Sequence, residues 1–202
     1  MTERATVFLV DDQASVIKAM TRLLESEGLD VVSFDSAAAF LEHDLYRQPG
    51  CLVLDLAMPD MDGMRLQQQL NQLGSDLPII FLTGNGNIDD SVSAMKHGAH
   101  DFLTKPVDAE KLLPALATAF ERNRQARQQR SEQDAIQTKL GSLTPREREV
   151  MELIVDGKLN KQVAAELGTV EKTIKVHRAR VMSKMGVTSL AALIHLLEKL
   201  KA

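Results

Sequence analysis

The sequence predicts an α/β domain, a doubly wound five-stranded parallel sheet, followed by an all-α helix-turn-helix domain. Three observations predict it. Over residues 1–120 short apolar runs alternate with helically spaced segments, the pattern of a parallel sheet covered by helices on both faces. From Leu140 onward the spacing is helical throughout, with no strand signal. The net charge of −4 also divides: residues 1–120 carry 8 Lys/Arg against 18 Asp/Glu, and residues 140–202 carry 11 against 7. Only the second half suits a polyanion.

The apolar runs fall at 6–10, 31–34, 51–55, 78–82 and 101–104, lengths that suit buried strands better than helices. Between them, Val16, Met20, Leu23 and Leu24 mark one helical stripe and Leu66, Leu70 and Leu73 another. Gly28, Gly50, Gly74 and Gly98 stand near the ends of such segments, where glycine terminates helices well. Residues 121–139 are polar, without Gly or Pro, and are expected to form a helical linker, with a disordered one as the alternative. The domains expected are therefore 1–120, the linker 121–139, and 140–202.

Size and composition exclude some classes. With 202 residues and 44% hydrophobic content the chain can build one or two cores. Apolar runs such as 77–82 are far too short to cross a bilayer, and no basic stretch followed by an apolar region opens the chain. The single cysteine, Cys51, sits in an apolar run and reads as a buried small hydrophobe. The expectation is a cytoplasmic protein with no membrane partner.

In parallel sheets the ligand site lies beyond the C-terminal strand ends. The first strand there runs into Asp11-Asp12, the third ends at Asp55, the fourth runs into Thr83-Gly84 and the fifth into Lys105-Pro106. Three carboxylates brought together repel, so they need a cation or must take up protons. An all-oxygen cluster with room for water suits magnesium, Mg2+. Charge neutralisation by the metal and Lys105 would let Asp55 attack phosphorus and become an aspartyl phosphate. Each residue alone has a plainer reading as a helix cap, a turn or a solvated charge. Their joint order on successive strand ends favours a site.

The segments Leu9-Val10-Asp11-Asp12, Asp55-Leu56-Ala57-Met58-Pro59-Asp60-Met61-Asp62-Gly63, Thr83-Gly84 and Asp101-Phe102-Leu103-Thr104-Lys105-Pro106 resemble the flavodoxin-like receiver domain of two-component response regulators. The resemblance covers about residues 5–120. It implies that Asp55 accepts phosphate from a sensor histidine kinase. It further implies that Asp12, Asp55 and the backbone carbonyl of Ala57 bind Mg2+, with Asp11 acting through water. Lys105 would pair with the phosphoryl group across a cis Lys105-Pro106 bond, Thr83 would hydrogen-bond the phosphate, and the Phe102 ring would swing inward. Catalysis would be limited to the chain's own phosphorylation from a phosphodonor and its own dephosphorylation. The family's usual dimer surface is the face of the fourth helix, fifth strand and fifth helix. Pro114 departs from a regular fifth helix, where it removes a hydrogen bond and favours a kink.

In the C-terminal half, Thr144-Pro145-Arg146-Glu147 is a helix start with Thr144 as N-cap. A helix near 160–167 stops at Gly168, and a third begins near Val170 or Glu171 and runs to about Met185, the pattern of a helix-turn-helix. On the third, Ile174, Val181 and Met185 share a packing side with His177 at its edge. Lys172, Lys175, Val176 and Ala179 face away, flanked by Thr173, Arg180 and Lys184 as phosphate holders. An ordinary solvated face is the plain alternative. Ser142-Leu143-Thr144-Pro145-Arg146-Glu147, Asn160-Lys161-Gln162-Val163-Ala164 and Thr173-Ile174-Lys175-Val176-His177 resemble the LuxR-type helix-turn-helix. The whole arrangement is similar to the FixJ/NarL class, towards FixJ on the loop 83–87 and the short linker. The likeness implies double-stranded promoter DNA and a homodimer when phosphorylated, with RNA polymerase as a further partner. The last helix, near 189–200, carries Leu190, Leu193, Ile194 and Leu197 as an apolar stripe often used for dimer contact in this class. Two rival readings weigh less. A dehalogenase-type phosphohydrolase needs an aspartate where Ala57 stands, and a flavodoxin-like nucleotide site needs a phosphate loop where Asp11-Asp12 repels anions.

Overall fold

The computed structural model describes residues 5–84, 96 and 98–200. The chain divides into two compact units, Met1–Arg127 and Gln128–Ala202. In the first, strands β1 (Thr6–Val10), β2 (Asp30–Phe34), β3 (Gly50–Asp55), β4 (Ile79–Thr83) and β5 (Asp101–Thr104) form one sheet in the order β2-β1-β3-β4-β5. Every neighbouring pair is parallel. Among the described residues, the helices of this unit are α1 (Ala14–Ser26), α2 (Ala37–Glu42), α3 (Gly63–Gln72) and the start of α4 (Ala109–Gly141), with a 3-10 turn at Leu45–Arg47.

All residues of β3 and β4 are buried, which is why these strands read as continuous apolar runs without alternation. Their side chains divide by parity. Phe8, Val10, Leu52, Leu54 and Phe81 enter one core with Phe40, Leu66 and Leu70. Val7, Leu9, Cys51, Val53, Ile80 and Leu82 enter the other with Leu24, Leu112, Leu116 and Ala119. Four strand ends differ from expectation by one residue: β2 begins at Asp30, β3 begins at Gly50, and β4 runs from Ile79 to Thr83. Pro78 has no N–H to give the ladder, so β4 begins at Ile79, while the Pro78 carbonyl still accepts Leu52 N–H at 2.9 Å. Gly50, expected to end a segment, begins β3, and a Cβ there would stand 2.2 Å from the Thr6 carbonyl oxygen.

Residues 121–139 are helical and continuous with the helix before them: α4 is 33 residues long and passes through Pro114 without a break. They are not polar all round. Asn123, 3% exposed, accepts Gly50 N–H at 3.1 Å and donates to the Asp76 carbonyl at 2.7 Å. Arg127 hydrogen-bonds the Arg47 carbonyl. Further along, Ile136 and Leu140 are core residues of the second unit. The helix expected between the fourth and fifth strands, with residues 85–87 of the loop, lies outside the described residues.

The second unit adds α5 (Pro145–Val155), α6 (Asn160–Glu166), α7 (Glu171–Met185) and α8 (Leu190–Glu198). Val150, Ile154, Val163, Ile174, Val181, Met185 and Leu193 are fully buried at its centre. Thr144 and Glu147 form a capping box at the start of α5, with Pro145 in the first turn. Gly168, with φ of 63°, makes the left-handed turn between α6 and α7. The C-terminal part of α4 is tied to the end of the chain, Glu132 to Lys199 Nζ at 2.9 Å and Gln133 to the Lys199 carbonyl at 3.3 Å. Ile136→Ala is therefore expected to lower the stability of the second unit by about 2–4 kcal/mol. Amide exchange should quicken in α5–α8 and stay unchanged in the β-sheet.

Candidate functional site

Parallel register brings the predicted acidic residues to one sheet edge. Val10 pairs with Leu54, Asp55 with Leu82, and Thr83 with Thr104, so Asp11, Asp55, Thr83 and Lys105 leave their strands side by side. One oxygen from each of Asp11, Asp12 and Asp55 lies within 4.8 Å of the others. Asp11 and Asp55 are buried and Asp12 is exposed. Lys105 Nζ donates to Asp11 Oδ2 at 2.5 Å and stands 3.2 Å from Asp55 Oδ1. The other Asp11 oxygen accepts Gln13 N–H at 2.9 Å.

Burial pushes the Asp55 carboxyl above its usual range; Lys105 opposes that shift and Asp11 adds to it. The Ala57 N–H also donates to the Asp55 carboxylate. This donor set, all carboxylate oxygen with one water-facing member, fits a hard divalent cation such as Mg2+. Thr83 is 4% exposed, and its carbonyl accepts Lys105 N–H at 2.7 Å. The half-buried Phe102 ring lies 6.3 Å from the Phe81 ring, inclined at 44°. The Lys105-Pro106 peptide is cis, as the resemblance implied.

Sequence reasoning missed the local supports. Asp62 caps α3, its Oδ1 accepting Arg65 N–H at 2.8 Å; the signal was an acidic residue directly before a helical stripe. Gly63 lies so close to the loop that a Cβ there would come 2.5 Å from the Asp55 carbonyl oxygen.

On α7, Ile174, Val181 and Met185 are buried while Lys172, Lys175, Val176, Ala179 and Arg180 are exposed and Thr173 is half-buried. Lys175 is paired with Glu171 at 3.0 Å on the open surface, a contact worth little. Lys184 departs from expectation. Instead of standing free to hold a phosphate, its ammonium donates to Glu147 Oε2 at 2.6 Å and to the Ser142 carbonyl at 2.9 Å. His177 is half-buried, with Nδ1 unpartnered among the described residues.

A parallel β-α sheet with this acidic edge, followed by a helix-turn-helix, defines a response regulator. Residues 7–117 match the response regulator receiver domain and residues 141–197 the luxR family of bacterial regulatory proteins. The chain belongs to this family: it is a response regulator with a receiver domain and a LuxR-type DNA-binding domain, of the FixJ/NarL class. It is 44% identical to Nodulation protein W of Bradyrhizobium diazoefficiens, over 98% of this chain and 87% of that protein. It is 42% identical to the response regulator protein TodT of Pseudomonas putida, over 100% and 89% respectively. Among solved structures it is similar to the response regulator StyR, with a TM-score of 0.87 and 47% identity over 97% of this chain and 99% of that one. A sensor kinase and DNA are the partners this class implies. Among the described residues no single helix is long and apolar enough to cross a membrane.

Two outcomes follow from this geometry. Gly63→Ala is expected to cost about 1–3 kcal/mol, as the β3–α3 loop shifts to admit the methyl group, and to slow phosphoryl uptake; urea unfolding and phosphate-affinity electrophoresis read the two effects. Glu147 is held down to about 2 by Lys184 and the Thr144 N–H, below its ordinary 4.5. A depressed carboxylate stabilises the fold above its unfolded value and loses that contribution as pH falls from about 4.5 towards 2. Glu147→Gln should flatten the pH dependence of DNA-binding-domain stability across that window, as followed by thermal unfolding.

Proposed function

We propose that a cognate sensor histidine kinase phosphorylates Asp55 in the presence of Mg2+, and that this switches dimerisation and DNA binding to regulate transcription. The observation that carries the reading is the Asp55 carboxylate, 2% exposed, with Lys105 at 3.2 Å and two further carboxylates alongside. One Asp55 oxygen attacks the phosphorus of phosphohistidine; the P–O bond forms as the P–N bond breaks, and the electron pair leaves on the imidazole nitrogen. Asp12, Asp55 and the Ala57 carbonyl would hold Mg2+, with Asp11 acting through water, and the bound ion supplies neutralising charge for the phosphoryl oxygens.

Lys105, already between two carboxylates, moves its positive charge to the phosphoryl group. Thr83 donates its hydroxyl to the same group and the Phe102 ring follows inward. The chain acts on no separate substrate: it catalyses only its own phosphorylation and dephosphorylation. Phosphorylated receivers pair as a homodimer, presenting two reading modules to two half-sites of double-stranded promoter DNA. Lys172, Thr173, Lys175, Val176, Ala179 and Arg180 contact that DNA, and RNA polymerase is the downstream partner. Because its targets are promoters, the protein works in the cytoplasm.

The test is a DNA-binding assay with and without Mg2+ and acetyl phosphate, read beside the oligomer mass. Wild type should gain roughly 5–150-fold in affinity, the usual range of such coupling. Asp55→Asn should lose the gain while keeping basal binding; undiminished stimulation in that variant would sink the switch.

A further inference from the structure

The helices of the DNA-binding domain start in two different ways. The first and last of its LuxR-matched helices, α5 and α8, begin on hydroxyl caps. Thr144 Oγ1 accepts Glu147 N–H at 3.3 Å, and Ser189 Oγ accepts Ala192 N–H at 3.1 Å. The two helices of the helix-turn-helix begin on Leu159 and Val170. Apolar residues are the poorest N-caps, and these two are 70% and 64% exposed. Leu159 is compensated by its neighbour, since its N–H donates to Gln162 Oε1 at 2.8 Å. Val170 makes no side-chain cap at all.

An uncapped, exposed valine weakens its own helix start, a cost that contact with a partner outside the chain would offset. Val170 occupies the N-terminal tip of α7, and in a helix-turn-helix the first residues of the second helix reach base edges. The charges around that tip suit DNA. Lys172 and Lys175 are exposed beside it, and the adjacent acidic side chain, Glu171, is already paired with Lys175 at 3.0 Å. An apolar side chain entering the major groove has one base feature to meet, the C5-methyl group of thymine. A hydroxyl cap at this position would bond its own backbone and present no such surface.

We propose that Val170 is a specificity-determining residue that reads one thymine methyl in each half-site. The proposal rests on DNA reading by α7, and the experiment separates the two. Full-length protein with Mg2+ and acetyl phosphate selects its preferred duplex from a random pool. Each thymine of that duplex is then replaced singly by deoxyuridine, which removes only the methyl.

One replacement per half-site should weaken wild-type binding by about fourfold, the effect of one buried methyl-sized group. Val170→Ala should bind the selected duplex more weakly and lose its response at that position alone. Val170→Ser, which restores a capping hydroxyl and keeps the helix start stable, should lose it too. A wild type indifferent to every deoxyuridine, or a Val170→Ala protein with the full wild-type response, overturns the proposal. So does a loss of oligomer mass in Val170→Ala without change in base preference, which would make the tip a contact with a second copy. A pool from which wild type enriches nothing would overturn DNA reading itself, and this inference with it.

Discussion

The ammonium of Lys105, held between Asp11 and Asp55, is the interaction on which the receiver's chemistry depends. Two buried carboxylates side by side repel, and burial alone already pushes Asp55 towards its protonated form. A single cation at 2.5 and 3.2 Å from them offsets part of that cost. It leaves the cluster short of positive charge, with the exposed Asp12 beside it. A site in that condition suits a hard divalent cation. The sheet is built to hold these groups at fixed distance: β3 is buried along its whole length, so Asp55 cannot drift from the strand that carries it.

The opposite end of the sheet explains how the framework stays in place. Gly50 leaves no room for a Cβ against the Thr6 carbonyl, which lets β1 and β3 approach closely where β3 begins. The Asn123 amide then joins α4 to both the Gly50 N–H and the Asp76 carbonyl. A buried amide that satisfies one donor at the start of β3 and one acceptor in the loop before β4 specifies a single seating for the helix. The same helix goes on to supply Ile136 and Leu140 to the second core, so one element takes part in the folding of both units.

Most of the fold was legible because each core-forming signal is local. Strand-length apolar runs, helical stripes and the Thr144-Pro145 start all fell within a few residues of where the elements lie. The acidic site was legible for a topological reason: in a parallel sheet, strand ends named in sequence order are neighbours in space. What stayed hidden depends on partners remote in sequence. Helical phase set Lys184 on an outer flank of α7, but nothing local shows that Glu147, 37 residues earlier, takes its charge. Residues 121–139 looked uniformly polar because a lone isoleucine at 136 makes no periodic stripe; its packing is completed by Leu140 and by residues after it. The close approach at Gly63 is set by the loop after Asp55, which no pattern of residue types describes.

Cys51 illustrates what complete burial does to a reactive group. Its thiol is enclosed in the core beside Val53 and Leu9, and burial raises its pKa far above neutrality, so the thiolate form that alkylating reagents require is scarce and shielded. It is the only cysteine in the chain. A cysteine introduced on the surface of the folded protein would therefore be its sole labelling position. Fluorophores or spin labels could be placed there without first removing the native thiol.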